Sequence, residues 1–418
     1  MSLDFTPDPA GAGFDIDRLR RIDEHLRTRY LDPGKIAACQ VLVARRGRVA
    51  HRSTLGTMDL STEESLADQA IWRWYSMTKP VAGVALLSLV ERGMVKLLDP
   101  VDRFLPEWRD AKVGVPRSDG GSEDGEGWDL VEPERPMRVR DALMHMTGIG
   151  PGPAGARLNL AAMADGGPRR SLPPGTTLAD LSVMLAKEPL RFHPGRHWSY
   201  TWSTDICARL VEVISGQSFG AYLSATVFEP LGMADTGFFV QPEAADRITT
   251  LYGRGADKQL RVIDDRANSG LLKPPALESG GGGLVGTIDD YARFCQMLLA
   301  GGAGNGHRIL GRPTVELMRT NHLPGGAELR DVVLPGSYGE VGFGGNGFGL
   351  TVAVGLGPAA TGGAGPAGDY MWGGAASTIF WIDPTEDLFA VFMTQLMPSG
   401  TYDFRGQLRA LVYGAIAD

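Results

Sequence analysis

Histidine, cysteine and lysine are all scarce in this chain, and none of the three is grouped. The three cysteines, Cys39, Cys207 and Cys295, are far apart and each lies in an apolar segment. That spacing excludes a zinc ribbon or a disulfide scaffold and predicts buried free thiols. The seven histidines match no ligand pattern; His193 and His197 are four apart, but Pro194 and Gly195 between them break any helix. No metal and no cofactor is therefore expected. Met1 to Pro7 has neither a basic leader nor an apolar run, and no later stretch is long enough to span a bilayer. A cytoplasmic protein without a membrane partner is the expectation. The net charge of −8 argues against a nucleic-acid partner.

Glycine (57) and proline (27) are abundant, so many loops are expected, and 418 residues allow a large core or two subdomains. The pattern predicts an amphipathic helix over 15–29, with Leu19, Ile22 and Leu26 on one stripe. A strand over 38–44 turns at Arg46-Gly47 into a second over 48–51. Residues 115–136 read as an exposed mobile loop, and 148–176 as a long ordered loop with short helical pieces. Helices are expected over 180–187, 203–214, 219–227, 288–299 and 404–416. Strands are expected over 349–354, 376–382 and 388–393. Both chain ends would then share one sheet, with 1–100 and 280–418 forming an α/β unit. Residues 101–279 would form an inserted, mainly helical domain, with the active site between the two.

Ser76-Met77-Thr78-Lys79 is the only Ser-x-x-Lys in the chain. Residues three apart share a helix face, so a hydroxyl and an amine would point into one space. Serine needs a base to become a nucleophile, and burial lowers a lysine pKa toward the neutral amine that can serve. Pro80 places the helix in its first turn there, where a missing N–H costs nothing. Val81 to Val90 is apolar on nearly every side, which predicts a central buried helix with Ser76 at its mouth. The Ser76 backbone N–H would be free to bind an oxyanion.

A rival serine lies in Gly216-Gln217-Ser218-Phe219-Gly220, which matches Gly-x-Ser-x-Gly. That elbow requires a preceding strand. The residues before it continue a helical pattern, so Gly216 is expected as a helix C-cap and Ser218 as the N-cap of the next helix. Ser279-Gly280-Gly281-Gly282-Gly283 lacks the ending of a phosphate loop and suggests a close backbone approach near the site. Tyr200, in an aromatic segment with Trp198 and Trp202, is the candidate proton relay beside Ser76 and Lys79. His145 is expected to hydrogen-bond within a packed loop.

With these residues in place, the chain resembles the serine β-lactamase and penicillin-binding-protein superfamily from about residue 15 onward. It looks most like its family VIII carboxylesterases. The segments Val139 to Gly148, Phe228-Glu229-Pro230-Leu231-Gly232-Met233 and Gly281-Gly282-Gly283-Leu284-Val285 resemble family landmarks. The resemblance implies a β-lactamase-like α/β (α+β) fold, an antiparallel sheet flanked by helices plus a helical insertion. Three catalytic motifs carry over: Ser76-x-x-Lys79; Tyr200-Thr201-Trp202, which has the tyrosine but lacks the family's asparagine; and Trp372-Gly373-Gly374 on an edge strand, where β-lactamases have Lys-Thr-Gly. Trp372 cannot hold a substrate carboxylate as that lysine does, and it offers apolar surface and one N–H instead.

The expected activity is hydrolysis of small esters with short- to medium-chain acyl groups, through an acyl-enzyme on Ser76. Lys79 and Tyr200 would act as general base and acid, and the immediate base stays open. The backbone N–H groups of Ser76 and Ala375 would form the oxyanion hole. Tyr75, Trp202, Trp372, Gly373 and Gly374 would bind substrate, with Trp198 a further aromatic wall and residues 355–368 a candidate rim. Competing readings are a β-lactamase, D-amino-acid amidase or peptidase, an acyltransferase using the same intermediate, and a non-catalytic binding protein. Oligomeric state is not legible.

Overall fold

The computed structural model describes residues 3–62, 64–117, 128–150 and 172–418. Near the N-terminus, helix α1 (Ile16–Leu26) begins where Asp15 accepts from the backbone N–H groups of Asp17 and Arg18, and it buries Leu19, Ile22 and Leu26. Strands β1 (Ala38–Arg45) and β2 (Arg48–Gly56) follow. They are joined by Arg46 and Gly47 at φ 56° and 72°, the paired positive values that suit a right-twisted hairpin. β2 runs five residues beyond its expected end.

The main sheet has seven antiparallel strands among the described residues. Besides β1 and β2 it holds β3 (Asn346–Phe348), β4 (Ala353–Leu356), β5 (Ala367–Gly374), β6 (Thr378–Asp383) and β7 (Leu388–Met393). The order is β3-β4-β5-β6-β7-β1-β2, so the first two strands of the chain lie directly against the last. β1 is buried at every position, which means both sheet faces are covered. On one face the closing helix Phe404–Tyr413 meets β7 through Phe404 and Phe392, ring centroids 4.9 Å apart. On the other, helix Ile288–Leu299 meets β6 through Tyr291 and Phe380 at 5.2 Å. Trp372 pairs with Phe380 across β5 and β6 and so shares this second face.

Helix α2 (Thr78–Glu91) is buried almost all round, as its composition requires. It packs on α3 (Ser203–Ser215), against which Val139–Leu143 and Leu178–Ala186 also pack. No helix among the described residues is long and apolar enough to cross a membrane.

Several expected elements are corrected. Residues 349–354 form a hairpin between β3 and β4, with Thr351 at φ 71°. That hairpin makes β5 an internal strand, because β3 and β4 pair beyond it. The pairing stops at Met371, so only the tip carrying Trp372, Gly373 and Gly374 has a free flank toward β4. β6 starts at Thr378, since Ser377 at φ 65° is still in the turn. Residues 355–368 join the opposite end of β5, roughly 17 Å along the strand from Trp372. There Ala364 accepts from Arg409 of the closing helix, so this segment does not rim the Ser76 region. Val113–Pro116 pairs with Trp128–Val131, so the ends of the expected 115–136 loop are strands. Leu251–Arg254 and Leu260–Asp264 add a hairpin to the stretch expected to be helical. Residues 118–127 of the first loop and 151–171 of the second lie outside the described residues.

Leu86 is 0% exposed at the centre of α2. Leu86→Ala is expected to lower unfolding free energy by about 2–5 kcal/mol. Denaturant titration of the two proteins checks this; equal midpoints would mean that α2 is not central to the core.

Candidate active site

Ser76 sits on a single 3₁₀ turn, Tyr75–Met77, that feeds directly into α2. Tyr75 stands at φ 46°, a left-handed conformation rare for a bulky residue. Such strain persists only where the surroundings over-determine it. Here Trp74 is wholly buried against Tyr291, and Tyr75 packs against the cluster of Leu251, Ala376 and Met397. The turn presents Ser76 to Lys79, whose Nζ donates to Oγ across 3.1 Å. Lys79 is only 4% exposed. Its Nζ also donates to the Gly281 carbonyl at 2.6 Å and lies 4.4 Å from the centre of the Tyr200 ring.

The glycine turn at 279–283 is what delivers that carbonyl. Asp205, buried in the first turn of α3, accepts from the Ser279 hydroxyl at 2.6 Å and from the Gly281 N–H at 3.2 Å. A Cβ on Gly281 would lie 2.5 Å from the Asp205 carboxylate, so no larger residue fits while that bond is kept. The chain of contacts runs from Asp205 to Gly281 to Lys79 to Ser76.

Tyr200 approaches from the residues just before α3, beside the amine that reaches Ser76. Trp198 stacks parallel to its ring, Trp372 packs at 5.3 Å and His145 at 4.9 Å. The Trp372 indole N–H donates to the Tyr200 hydroxyl at 3.1 Å. Burial, then the charge on Glu340, push the Tyr200 phenol well above its ordinary range, against the pull of Ser76 and Trp372. The phenol is therefore protonated at neutral pH. His145 is held well below the usual imidazole range by burial and then by Lys79. It is a neutral packing partner behind Tyr200, and its Nε2 lies 3.4 Å from the Thr204 hydroxyl.

The structure corrects the expected substrate walls. Trp372 and Trp198 are both 0% exposed, so neither offers surface to a ligand. The Trp372 N–H, expected to face substrate, is spent on Tyr200 because the ring is clamped between Tyr200 and Phe348. Among the described residues Tyr75, Trp202 and Tyr338 keep half-buried aromatic surface beside the motifs. Gly373 lies on the opposite face, against Arg405 of the closing helix. Gly374 touches the nucleophile turn so closely that a Cβ would overlap the Trp74 carbonyl oxygen. This approach brings the backbone of Gly374 and Ala375 beside Ser76.

Two functional candidates were missed in the sequence. Asp205 looks there like any acidic residue in a first helical turn. Glu340 stands in a glycine-rich loop far along the chain, and its isolation among glycines and aromatics was its sole signal. Burial raises its carboxyl above the ordinary range, while hydrogen bonds from Ser399 and Tyr338 and the charge of Lys79 oppose the rise.

Ser218 caps the helix Phe219–Leu223, its Oγ accepting from the Ala221 N–H at 3.2 Å, and Gly216 ends α3 at φ 74°. The three cysteines are buried and unpaired. Among the described residues no group of three His, Cys, Asp or Glu side chains is placed to hold a metal ion. The arrangement is thus a serine hydroxyl flanked by an amine and a phenol, in a partly dry site, which can form an acyl-enzyme.

Residues 24–414 match the protein family described as Beta-lactamase. Esterase EstB of Burkholderia gladioli is 30% identical over 415 residues, covering 95% of this chain and 93% of its own. Protein Rv1367c of Mycobacterium tuberculosis is 30% identical over 381 residues, 89% of each. Among solved structures, EstCE1, described as a hydrolase with promiscuous acyltransferase activity, superposes with a TM-score of 0.76. It covers 96% of this chain and 99% of its own at 24% identity, a likeness of fold.

Asp205→Ala would strand the buried Ser279 hydroxyl and Gly281 N–H. We expect a stability loss of about 1–3 kcal/mol and acylation of Ser76 by a fluorophosphonate slowed roughly tenfold or more as Lys79 loses its carbonyl anchor. Unfolding titrations and probe kinetics measure both; unchanged acylation would separate Asp205 from the site. Ser218→Ala should lower stability by about 0.5–2 kcal/mol as a lost cap and leave that acylation rate unaltered.

Proposed function

The chain belongs to the beta-lactamase family, and we propose that it is a serine carboxylesterase of the family VIII type acting on short- to medium-chain esters. The observation that carries the reading is Lys79 Nζ, 3.1 Å from the Ser76 hydroxyl and 4.4 Å from the centre of the Tyr200 ring. The name of the EstB relative agrees with it.

In this reading Ser76 Oγ attacks the ester carbonyl. Because Tyr200 rests as a neutral phenol, Lys79 in its amine form takes the serine proton, directly or through Tyr200. The oxyanion is held by the backbone N–H groups of Ser76 and Ala375. As the C–O bond to the alcohol breaks, Tyr200 hands that alcohol a proton and recovers one from Lys79. Water then attacks the acyl-enzyme by the same relay and frees the acid. The half-buried rings of Tyr75 and Trp202 suit small apolar acyl groups. Residues 1–100 and 280–418 act as one unit and 101–279 as the other, with substrate entering between them.

A buried tryptophan in the third motif gives no cation for a β-lactam carboxylate, which favours neutral esters over penicillins. Acyl transfer to an alcohol is the second reading. It uses the same acyl-enzyme, and it is favoured by the acyltransferase activity in the EstCE1 description.

The test is a series of p-nitrophenyl esters from acetate to decanoate beside a chromogenic cephalosporin, with wild type, Ser76→Ala and Ser218→Ala. Short-chain turnover should fall at least about a thousandfold in Ser76→Ala and persist in Ser218→Ala. Wild-type rates in Ser76→Ala would sink the scheme, and fast cephalosporin turnover would remove the argument from Trp372. Added alcohols that yield new esters would move the assignment to acyl transfer.

A further inference from the structure

One carboxylate beside the site enters the chemistry above only through its charge on Tyr200. Glu340 sits in the loop between Val333 and β3. Its Oε2 lies 3.0 Å from the Tyr338 hydroxyl and 2.8 Å from the Ser399 hydroxyl, and the two hydroxyls also touch each other, so their two protons serve two of these three contacts. At least one of the hydroxyls donates to the carboxylate and fixes its position, and with the charge of Arg405 it favours the ionised form against the burial that raises the carboxyl. The Tyr338 ring packs against the Tyr200 ring, centroids 6.1 Å apart. Arg405 ties the loop to the third motif, its Nη2 donating to the Trp372 carbonyl at 2.9 Å and to the Glu340 carbonyl at 3.4 Å. A fixed negative charge therefore stands beside Tyr200, next to the strand tip where the family resemblance would put a lysine.

In the amine form that takes the serine proton Lys79 carries no charge, which leaves Arg405 set against the acids of the site. Lys79 is turned to Ser76, Gly281 and the Tyr200 ring. Arg405 is turned to the carbonyls of Trp372, Phe380 and Glu340. Asp205, the other buried acid of the site, adds a second negative charge. Two like charges about 8 Å apart at the effective dielectric of a protein surface repel enough to change a rate by roughly ten- to thirtyfold.

We propose that Glu340 is a specificity-determining residue that turns away esters bearing a carboxylate and favours neutral or cationic ones. This goes beyond the loss of a carboxylate-binding cation, because it adds active repulsion. It rests on the esterase reading above, and the experiment separates the two.

The substrates are a neutral ester, its terminal-carboxylate analogue and its terminal-trimethylammonium analogue. One series carries the charge on the acyl chain and the other on the alcohol, and acid release is followed by pH-stat at neutral pH. Wild type should prefer the cationic ester to the anionic one by roughly tenfold or more in kcat/KM in at least one series. Glu340→Gln, which keeps an oxygen for Tyr338 and Ser399, should close that gap; because it also relieves the charge on Tyr200, the readout is the ratio of cationic- to anionic-ester kcat/KM within each protein. Glu340→Asp, which keeps the charge, should retain the wild-type preference. Equal wild-type rates for anionic and cationic esters in both series would overturn the proposal without any variant, and so would an unchanged gap in folded Glu340→Gln. A neutral ester left intact by wild type would sink the esterase reading and this inference with it.

Discussion

The hydrogen bond between Lys79 Nζ and Ser76 Oγ, 3.1 Å long in a nearly dry site, is the contact around which this molecule is arranged. An amine three residues after a serine reaches it only if the backbone between them is helical or nearly so. The 3₁₀ turn with Tyr75 at positive φ supplies that backbone and aims the serine outward from the core. Burying the lysine then demands partners for its other N–H directions. The Gly281 carbonyl and the Tyr200 ring meet that demand, and each imposes further constraints. Gly281 needs Asp205 and a backbone without Cβ, while Tyr200 needs a start of α3 that places Asp205 and the phenol on one side of Lys79.

Tyr200 is held by an aromatic shell whose members look like ligand walls in sequence and are core in three dimensions. Trp198, Trp372 and His145 surround its ring, and the Trp372 N–H fixes its hydroxyl. A tryptophan in the third motif thus does two things at once. It removes a cation from the pocket, and it adds a donor to the phenol oxygen that stabilises a developing phenolate. That second effect opposes the burial and the Glu340 charge that push the phenol upward. The proton affinity of Tyr200 is the outcome of this opposition, and it depends on residues from four separate parts of the chain.

What sequence made legible follows from how local each signal was. Ser76 and Lys79 lie one helical turn apart beside an apolar run, so a short window holds the whole argument. α1, the hairpin at Arg46-Gly47 and the caps at Gly216 and Ser218 were equally local. Asp205 was not, because its meaning comes from the turn at Ser279 to Gly283, more than seventy residues later. Glu340 gains its meaning from Ser399 and Tyr200, which no spacing rule connects to it. The strand expected over 349–354 is apolar enough for one, but Thr351 at positive φ reverses the chain within it. The burial of Trp372 was hidden because its exposure depends on Phe348 across that same unseen hairpin.

The contrast between Ser76 and Ser218 shows why a motif alone does not make a nucleophile. Both serines stand at the start of a helix, and both hydroxyls are hydrogen-bonded. Ser218 Oγ accepts from the Ala221 N–H as a cap, and no amine or phenol is bonded to it. Ser76 is one step too early to cap α2, because the 3₁₀ turn intervenes, and no side-chain cap is made by it. Its hydroxyl is left to an amine, beside a phenol whose proton affinity the surroundings adjust. Reactivity here is the absence of a structural task combined with the presence of a base. The strained Tyr75 turn supplies the first, and the buried Lys79 supplies the second.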